Sequence, residues 1–154
     1  MKIILGIIIM ILCVVIGYFY SKKYQERKKY FEDFKNFNGR VKNEVNFSQT
    51  SLISIVKSIS TDTAFNSYVH GYFIDKNDSI DKLKFFNEHE RTFVSDYMKN
   101  IGQGDKNSQS QFLESSEKQI EKYLDDAIEE DKKYRPLCIK LGFLFGLIIL
   151  IILL

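Results

Sequence analysis

The sequence predicts an all-α fold, an antiparallel bundle of about five to six helices between an N-terminal and a C-terminal transmembrane helix. A charge-free apolar run lies near each end of the chain. Between these runs, apolar residues recur at steps of three and four, as they do on one face of a helix. Alternation of apolar and polar side chains, which would indicate half-buried strands, is not found in the sequence.

The first apolar run, residues 3–20, reads IILGIIIMILCVVIGYFY and contains no charged residue. A helix of this length extends about 27 Å, enough to cross the hydrocarbon of a bilayer with little tilt. A single charge, Lys2, precedes the run, and no small-x-small cleavage signature follows it. We therefore expect residues 1–20 to form a retained transmembrane anchor.

The second apolar run, residues 137–154, ends in LGFLFGLIILIILL. It reaches a similar length if Lys140 extends its ammonium group toward the lipid headgroups, so a second transmembrane helix is expected. Basic residues follow the first run and precede the second: Lys22, Lys23, Arg27, Lys28, Lys29, Lys35, Lys132, Lys133 and Arg135. By the positive-inside rule, residues 21–136 are expected to be a cytoplasmic helical bundle domain, and the chain a membrane hairpin.

The first half of the bundle is predicted from three apolar stripes. One continues the first anchor as an amphipathic helix to about Phe47. A second helix begins near Leu52, and we expect Ser48 or Thr50 to cap it, since hydroxyl side chains accept hydrogen bonds from free helical N–H groups. A third helix is expected around residues 65–73.

The second half of the bundle is divided by turn signals. The KNDS turn, with Ser79 as a cap, is expected to open a short helix, and another helix ends near Ile101. The sequence GQGD follows, where Asp105 is expected to cap a long last helix. Pro136, the only proline, is expected to kink the chain between this helix and the second membrane run.

The charge of the chain is balanced overall but divided along its length. The formal net charge is +2, from 22 basic and 20 acidic residues, and it gives no reason to expect nucleic acid as a partner. Residues 21–42 carry eight basic and three acidic side chains, whereas residues 105–131 carry nine acidic and three basic. Two interpretations remain open: a basic collar at the membrane with a solvated acidic helix face, or an acidic docking surface for a basic partner.

The residues that usually carry chemistry are few. Cys13 and Cys138 lie in or beside the apolar runs, which argues against a disulfide framework and against a cysteine metal site. His70 and His89 are the only histidines, and their positions do not match a metal-binding spacing. We therefore expect no metal and no cofactor.

One acid–base cluster, Glu88-His89-Glu90, is interpreted as a charged surface turn, since adjacent helical residues point in different directions. P-loop, GxSxG, HExxH and paired-cysteine motifs are absent from the sequence. We expect no catalytic residue, no enzymatic activity and no small-molecule substrate.

Three segments of the chain, taken in order, carry a resemblance. VKNEVNFSQTSL, residues 41–52, places Glu44 and Thr50 in a register of apolar residue, glutamate, aromatic residue and Thr-Pro-Leu. IGQGDKNSQ, residues 101–109, follows Leu-Gly-x-Ser-Asp-x-x-x-Gln. KKYRPLCIKLGFLFGLIILIILL ends the chain with Lys-Tyr and a Leu-Gly-x-x-x-Gly membrane helix. Together they resemble the stage III sporulation protein AB family over the whole length.

The chain departs from the family pattern at three positions. Ser51 stands where the family usually has proline, Gly104 stands where it has serine, and Pro136 has no expected counterpart. The first departure loosens the turn into the second helix, and the second removes a potential capping hydroxyl. The overall architecture is expected to be unaffected.

The resemblance implies a role outside enzymology. Members of the family are similar to the cytoplasmic helical domain of the inner-membrane platform protein of type II secretion and type IV pilus systems. They act in endospore formation, in a channel-like assembly that links mother cell and forespore. The resemblance thus implies a platform in the cell membrane, on the mother-cell side in the outer forespore membrane. Its implied partners are a secretion-type ATPase, other membrane components of the channel and the lipid bilayer.

The matched residues become candidate sites through this resemblance. Candidates for partner binding are Glu44, Thr50, Gly102, Asp105 and Gln109. Gly142 and Gly146 are candidates for membrane helix packing, because a small-xxx-small pattern lets helix backbones approach closely in lipid. Two alternatives remain: an unrelated two-span membrane adaptor or regulator, and a membrane-tethered hydrolase that uses residues 88–90.

Overall fold

The computed structural model describes residues 2–47 and 51–153, and within them it confirms the all-α prediction. The α-helices are α1 (Lys2–Phe47), α2 (Leu52–Lys57), α3 (Ala64–Phe73), α4 (Glu88–Asn100) and α5 (Lys106–Leu153). A single 3-10 turn, Ile80–Lys82, lies between α3 and α4, and no strand occurs in the described residues. As predicted, the first helix runs without interruption to Phe47.

The structure assigns the cap of α2 to Ser51, and Ser79 lacks the capping hydrogen bond that was predicted for its side chain. The cap of α2 is Ser51, whose Oγ accepts a hydrogen bond from the N–H of Ser54 at 3.4 Å. Ser51 directly precedes the helix, whereas Ser48 and Thr50 lie outside the described residues. Ser79 precedes the 3-10 turn but makes no capping hydrogen bond with its side chain. At this turn the Oδ1 of Asp78 accepts a hydrogen bond from the N–H of Ile80 at 3.2 Å. The side-chain acceptor is therefore the Asp78 carboxylate and not the Ser79 hydroxyl.

Residues 27–126 form one compact unit, called here the bundle unit. Aromatic side chains from α1, α3 and α4 fill its core, and α5 adds an aliphatic stripe at three- and four-residue spacing. Fully or almost fully buried members include Tyr30, Phe31, Phe34, Phe65, Val69, Val94, Tyr97, Leu113 and Ile120. Phe34 stacks on Phe65 with ring centroids 5.1 Å apart and meets the edge of Tyr97 at 4.6 Å. Such aromatic pairs stabilise a core beyond the area they bury.

Residues 2–26 and 127–153 form a second compact unit, called here the hairpin unit. Its two helical segments are antiparallel, because Gly6 lies against Leu150 and Gly17 lies against Cys138. By length and composition, α1 and α5 each contain a segment able to cross a membrane. Only 17% and 6% of these apolar windows are buried, whereas a core helix of a soluble protein is mostly buried.

Pro136 lies inside α5, which continues through it from Lys106 to Leu153. A proline within a helix removes one backbone hydrogen bond and crowds the preceding turn. The helix therefore tolerates Pro136 without ending there, and the predicted kink stays a prediction.

Candidate functional site

The motif residues Gly102 and Gln109 meet in the loop between α4 and α5. The N–H of Gly102 donates to Oε1 of Gln109 at 2.9 Å. The Nε2 of Gln109 donates to the carbonyl of Asn100 at 3.2 Å and also to the carbonyl of Gln103. Gln109 is buried, and its amide side chain makes hydrogen bonds with three backbone groups at the end of α4 and in the turn that follows.

The backbone conformation of this loop favours glycine at positions 102 and 104. Gly102 has a φ of +81° and Gly104 a φ of +89°, in the left-handed region that a Cβ disfavours. A Cβ built on Gly102 would also lie 3.1 Å from Cδ2 of Leu52, the first residue of α2. The positive φ explains why a glycine suits position 104, where the resemblance led us to expect serine.

Asp105 caps α5, as predicted. Its Oδ1 accepts a hydrogen bond from the N–H of Ser108 at 3.2 Å, and its carbonyl accepts from the N–H of Gln109 at 2.9 Å. Hydrogen bonds from the side chain and the backbone of Ser108 lower the pKa of the Asp105 carboxyl below its ordinary value. Asp105 is exposed, so its ionised carboxylate is also accessible from solvent.

Glu44 differs from the loop residues because the described structure provides no hydrogen bond for one of its oxygens. It is half-buried on α1, and its Oε2 is shielded from solvent without a hydrogen-bond partner among the described residues. A shielded carboxylate oxygen without a donor is energetically costly. Thr50, from the same motif, lies outside the described residues. The structure thus brings Gly102 and Asp105 of the α4–α5 loop together with Gln109 in the first turn of α5, and no described hydrogen bond connects Glu44 to them.

The interpretation of Glu88-His89-Glu90 as a surface turn is wrong for Glu90. These residues form the first turn of α4, and Glu90 is fully buried. Its Oε1 accepts hydrogen bonds from Nη2 and Nε of Arg27 at 2.6 and 2.9 Å. Its Oε2 accepts from the N–H of Asn87 at 3.0 Å, while Oδ1 of Asn87 accepts from the N–H of Glu90 at 2.9 Å. Both carboxylate oxygens are therefore occupied.

Part of this arrangement had a sequence signal. Asn87-x-x-Glu90 before an apolar stripe is a capping-box pattern, which places Glu90 at the third helical position. The third position of α4 faces the core here, because Val94 and Tyr97 follow it at four- and three-residue steps. Nothing local to α4 indicated that Arg27 would be its partner.

The groove beside His89 does not assemble a pair of acids. It has a volume of about 400 Å³ and lies between α4 and α5. Aromatic and amide side chains dominate its lining, and Asp96 is the single carboxylate among the lining residues. A hydrolase that used residues 88–90 would need converging carboxylates in a concave site. Glu90 is instead held in the core by Arg27.

The family model for stage III sporulation protein AB matches residues 2–72 and 71–154, which together cover almost the whole chain. The chain belongs to the stage III sporulation protein AB family. No curated protein and no solved structure matches it. Membership in this family assigns the chain to stage III of sporulation.

In this member of the stage III sporulation protein AB family, the divided charge reflects pairing between helices. Nζ of Lys35 lies 2.9 Å from Oε1 of Glu121, and Nζ of Lys42 lies 2.7 Å from Oε2 of Glu117. Hydrogen bonds to these glutamates raise the pKa of both lysines. The basic segment of α1 and the acidic segment of α5 therefore neutralise one another in part. Glu117 and Glu121 contribute less to a docking surface than their charge alone suggested.

In the hairpin unit of this family member, Gly142 and Gly146 face α1. A Cβ on Gly142 would lie 2.7 Å from the carbonyl oxygen of Cys13, and one on Gly146 would lie 3.0 Å from Cα of Met10. Gly17 repeats the pattern from α1, because a Cβ built on it would lie 2.7 Å from the carbonyl oxygen of Cys138. The small-xxx-small face of α5 thus meets the first span of the same chain.

Proposed function

We propose that this chain is a membrane platform component of the secretion-like channel complex between mother cell and forespore. In this role it couples a cytoplasmic secretion-type ATPase to the assembly. The observation that carries the proposal is the match of the stage III sporulation protein AB model along the chain. The resemblance of that family to secretion and pilus platform proteins supplies the finer role, which is an argument by analogy.

The architecture supports a platform role through contacts between proteins. α1 and α5 each contribute residues both to the hairpin unit and to the bundle unit. The ends of the bundle unit are therefore joined by helix to two candidate membrane spans. A partner bound to a domain tethered twice in this way is held at the membrane. We propose that the chain works by holding partners and not by catalysis.

The proposed orientation places the bundle unit in the cytoplasm of the mother cell, with the hairpin unit in the outer forespore membrane. Basic residues beside the candidate spans support this orientation, because cytoplasmic flanks of membrane helices carry an excess of Lys and Arg. Lys22, Lys23, Lys132, Lys133 and Arg135 provide that excess.

Glu44 is the motif residue that we propose contacts a protein partner. Gln109 makes hydrogen bonds with the backbone of Gly102 and Asn100. These bonds within the chain explain the glutamine and the glycine, so a protein partner is not needed to explain either residue. Glu44 has a shielded oxygen that receives no described hydrogen bond. Because Glu44 is half-buried, a basic or N–H group of a partner can approach the exposed part of its side chain and make a favourable contact with the carboxylate.

The test is recovery of the assembly from solubilised membranes of sporulating cells, with the full-length tagged chain as bait. We expect the secretion-type ATPase and other membrane components to copurify with it. The Glu44→Ala variant should recover less ATPase and give fewer spores, while its melting stays unchanged. Glu114→Ala, which removes an exposed carboxylate from α5, is the matched control and should behave as the unmodified chain does.

Two results would count against the proposal. If the chain recovers membrane proteins but never the ATPase, a two-span adaptor or regulator becomes the better description. If Glu44→Ala leaves spore yield unchanged, Glu44 is not the contact residue.

A further inference from the structure

A second groove lies in the hairpin unit, on the surface of its two helices. It has a volume of about 280 Å³. Its lining residues are Cys13, Ile16, Gly17, Tyr20, Cys138, Leu141, Gly142 and Phe145. The groove exists because Gly17 and Gly142 bring the two backbones together without side chains to fill the space above them.

The groove runs along the spans from the end that carries the basic residues. Tyr20 and Cys138 line the end of the groove that lies next to the basic residues. Cys13 and Phe145 line the opposite end, called here the deep end. Seven helical residues separate Tyr20 from Cys13, a length of about 10 Å. An apolar crevice of this length, open sideways toward hydrocarbon, has the shape and polarity of a site for part of an acyl chain.

A cation lies at the mouth of this groove. Nζ of Lys23 lies 5.6 Å from the ring centroid of Tyr20 and 4.9 Å from that of Tyr24. The Tyr24 ring stacks on Tyr134 of α5 with centroids 5.5 Å apart, and Nζ of Lys133 lies 5.2 Å from the Tyr134 centroid. Aromatic rings with basic side chains at this depth are typical of the headgroup region of a bilayer.

The basic residues at the groove mouth lack the acidic partners found elsewhere in the chain. In the bundle unit, Lys35 and Lys42 pair with glutamates at 2.9 and 2.7 Å. By contrast, Lys23 and Lys133 contact ring faces and have no carboxylate within 4.0 Å among the described residues. Their positive charge is thus left for an anion from outside the chain.

We propose that the hairpin unit binds an anionic phospholipid, with one acyl chain in the groove and the headgroup phosphate beside Lys23. The apolar groove and the cation at its mouth match the two halves of such a lipid. A zwitterionic lipid would fill the same groove but would gain less from the unpaired ammonium groups.

The test uses contact quenching in the full-length chain, reconstituted in bilayers. The sequence contains no tryptophan, so a Phe145→Trp variant carries a single indole at the deep end of the groove. Lipids with brominated acyl chains quench an indole on contact. Bromine is placed either on phosphatidylglycerol or on phosphatidylcholine in otherwise matched mixtures. We expect phosphatidylglycerol to be favoured at the groove by about fivefold, the equivalent of one basic residue at a membrane surface.

Four controls make the result specific. Leu144→Trp places the indole at a similar depth and exposure but outside the groove lining, and should show equal quenching by both lipids. Lys23→Gln in the Phe145→Trp background should lower the preference from fivefold toward onefold, because Lys133 is the other basic residue beside these rings. Lys57→Gln, in the bundle unit, should leave the preference unchanged. Soluble glycerol phosphate should not compete.

Other outcomes would overturn the proposal. Equal quenching by both lipids at position 145 would make the groove an ordinary lipid-facing surface. Protection of the Phe145→Trp indole from both lipids would mean that a protein helix, such as one from a second copy, covers the groove. Competition by glycerol phosphate would show that the basic residues bind free phosphate. Far-UV circular dichroism verifies that each variant remains helical.

Discussion

Arg27 and Glu90 are 63 positions apart in the sequence and form an ion pair at 2.6 Å in the interior of the bundle unit. The side chain of Glu90 is fully buried and that of Arg27 is 9% exposed. The same carboxylate accepts a hydrogen bond from the N–H of Asn87 and so completes the capping box at the start of α4. A single side chain therefore fixes both the first turn of α4 and its attachment to α1.

Loss of the Glu90 carboxylate should be among the most destabilising changes in the chain. In Glu90→Ala, the buried guanidinium of Arg27 loses its hydrogen bonds to Glu90, and α4 loses half of its capping box. Breaking a buried ion pair from one side costs about 3–5 kcal/mol. Urea unfolding of the full-length chain in detergent, followed by circular dichroism, measures the change.

The control for this prediction is Glu88→Ala, an exposed change in the same turn, which should shift stability little. A double variant, Arg27→Met with Glu90→Leu, should regain part of the loss, because it removes the Arg27–Glu90 pair from both sides but does not restore the capping box. If Glu90→Ala unfolds at the same urea concentration as the unmodified chain, the role assigned to this pair is wrong.

Gln109 should contribute more to stability than its position near a helix start suggests. Gln109→Ala removes the three hydrogen bonds that its side chain makes with the backbone of residues 100–103. A loss of about 1–3 kcal/mol is expected, because a typical hydrogen bond contributes about 0.5–1.5 kcal/mol net and these three share one side chain. Gln111→Ala, two residues along α5 and exposed, is the control and should be near neutral. Equal unfolding midpoints for the two variants would count against this role.

The glycines of the second span should control how closely the two spans approach. The double change Gly142→Ile with Gly146→Ile places side chains where α1 backbone atoms lie within 3.0 Å of the new Cβ positions. Membrane insertion should persist because hydrophobicity rises. Bismaleimide crosslinking between Cys13 and Cys138, which line one groove, should fall, and recovery of partner membrane proteins should weaken.

A matched change at exposed positions of the same span is Phe143→Ile with Leu144→Ile. It should leave both crosslinking and partner recovery intact. Undiminished crosslinking in the glycine variant would mean that the spans do not pack through Gly142 and Gly146.

The cap at Asp105 should make the start of α5 sensitive to acid. Its hydrogen bonds with Ser108 lower the pKa of the carboxyl below 3.8, its ordinary value. A carboxyl with a depressed folded pKa contributes stability above the unfolded pKa, and that contribution is lost as the pH falls through the folded pKa. Melting between pH 7 and pH 3 should therefore decline less steeply in Asp105→Asn, which keeps the acceptor but cannot ionise.

The comparison for this prediction is Asp126→Asn, an exposed change farther along α5. It should follow the acid decline of the unmodified chain. If Asp105→Asn and Asp126→Asn decline in parallel with the unmodified chain, the cap does not titrate in this range.

The sequence by itself determined the features that depend on short-range patterns. The apolar runs predicted both candidate spans. The apolar stripe through Phe34 and Phe37 predicted that the first helix extends to Phe47, because helical periodicity repeats within a few residues. Asp105 was recognised as a cap for the same reason, since a cap bonds to an N–H only three residues away. Caps at adjacent positions were less distinguishable, and Ser51 was missed in favour of its neighbours.

Only the tertiary structure decided which distant residues meet. Glu90 was interpreted as a surface charge because it stands in a charged cluster with Glu88 and His89, and its burial depends on Arg27 from another helix. The pairing of Lys35 with Glu121 and of Lys42 with Glu117 likewise follows from how α1 and α5 align in the bundle unit. Charge patterns along a chain show where partners are available, but the choice among them depends on packing, because the core must close before any pair is brought within a few ångströms.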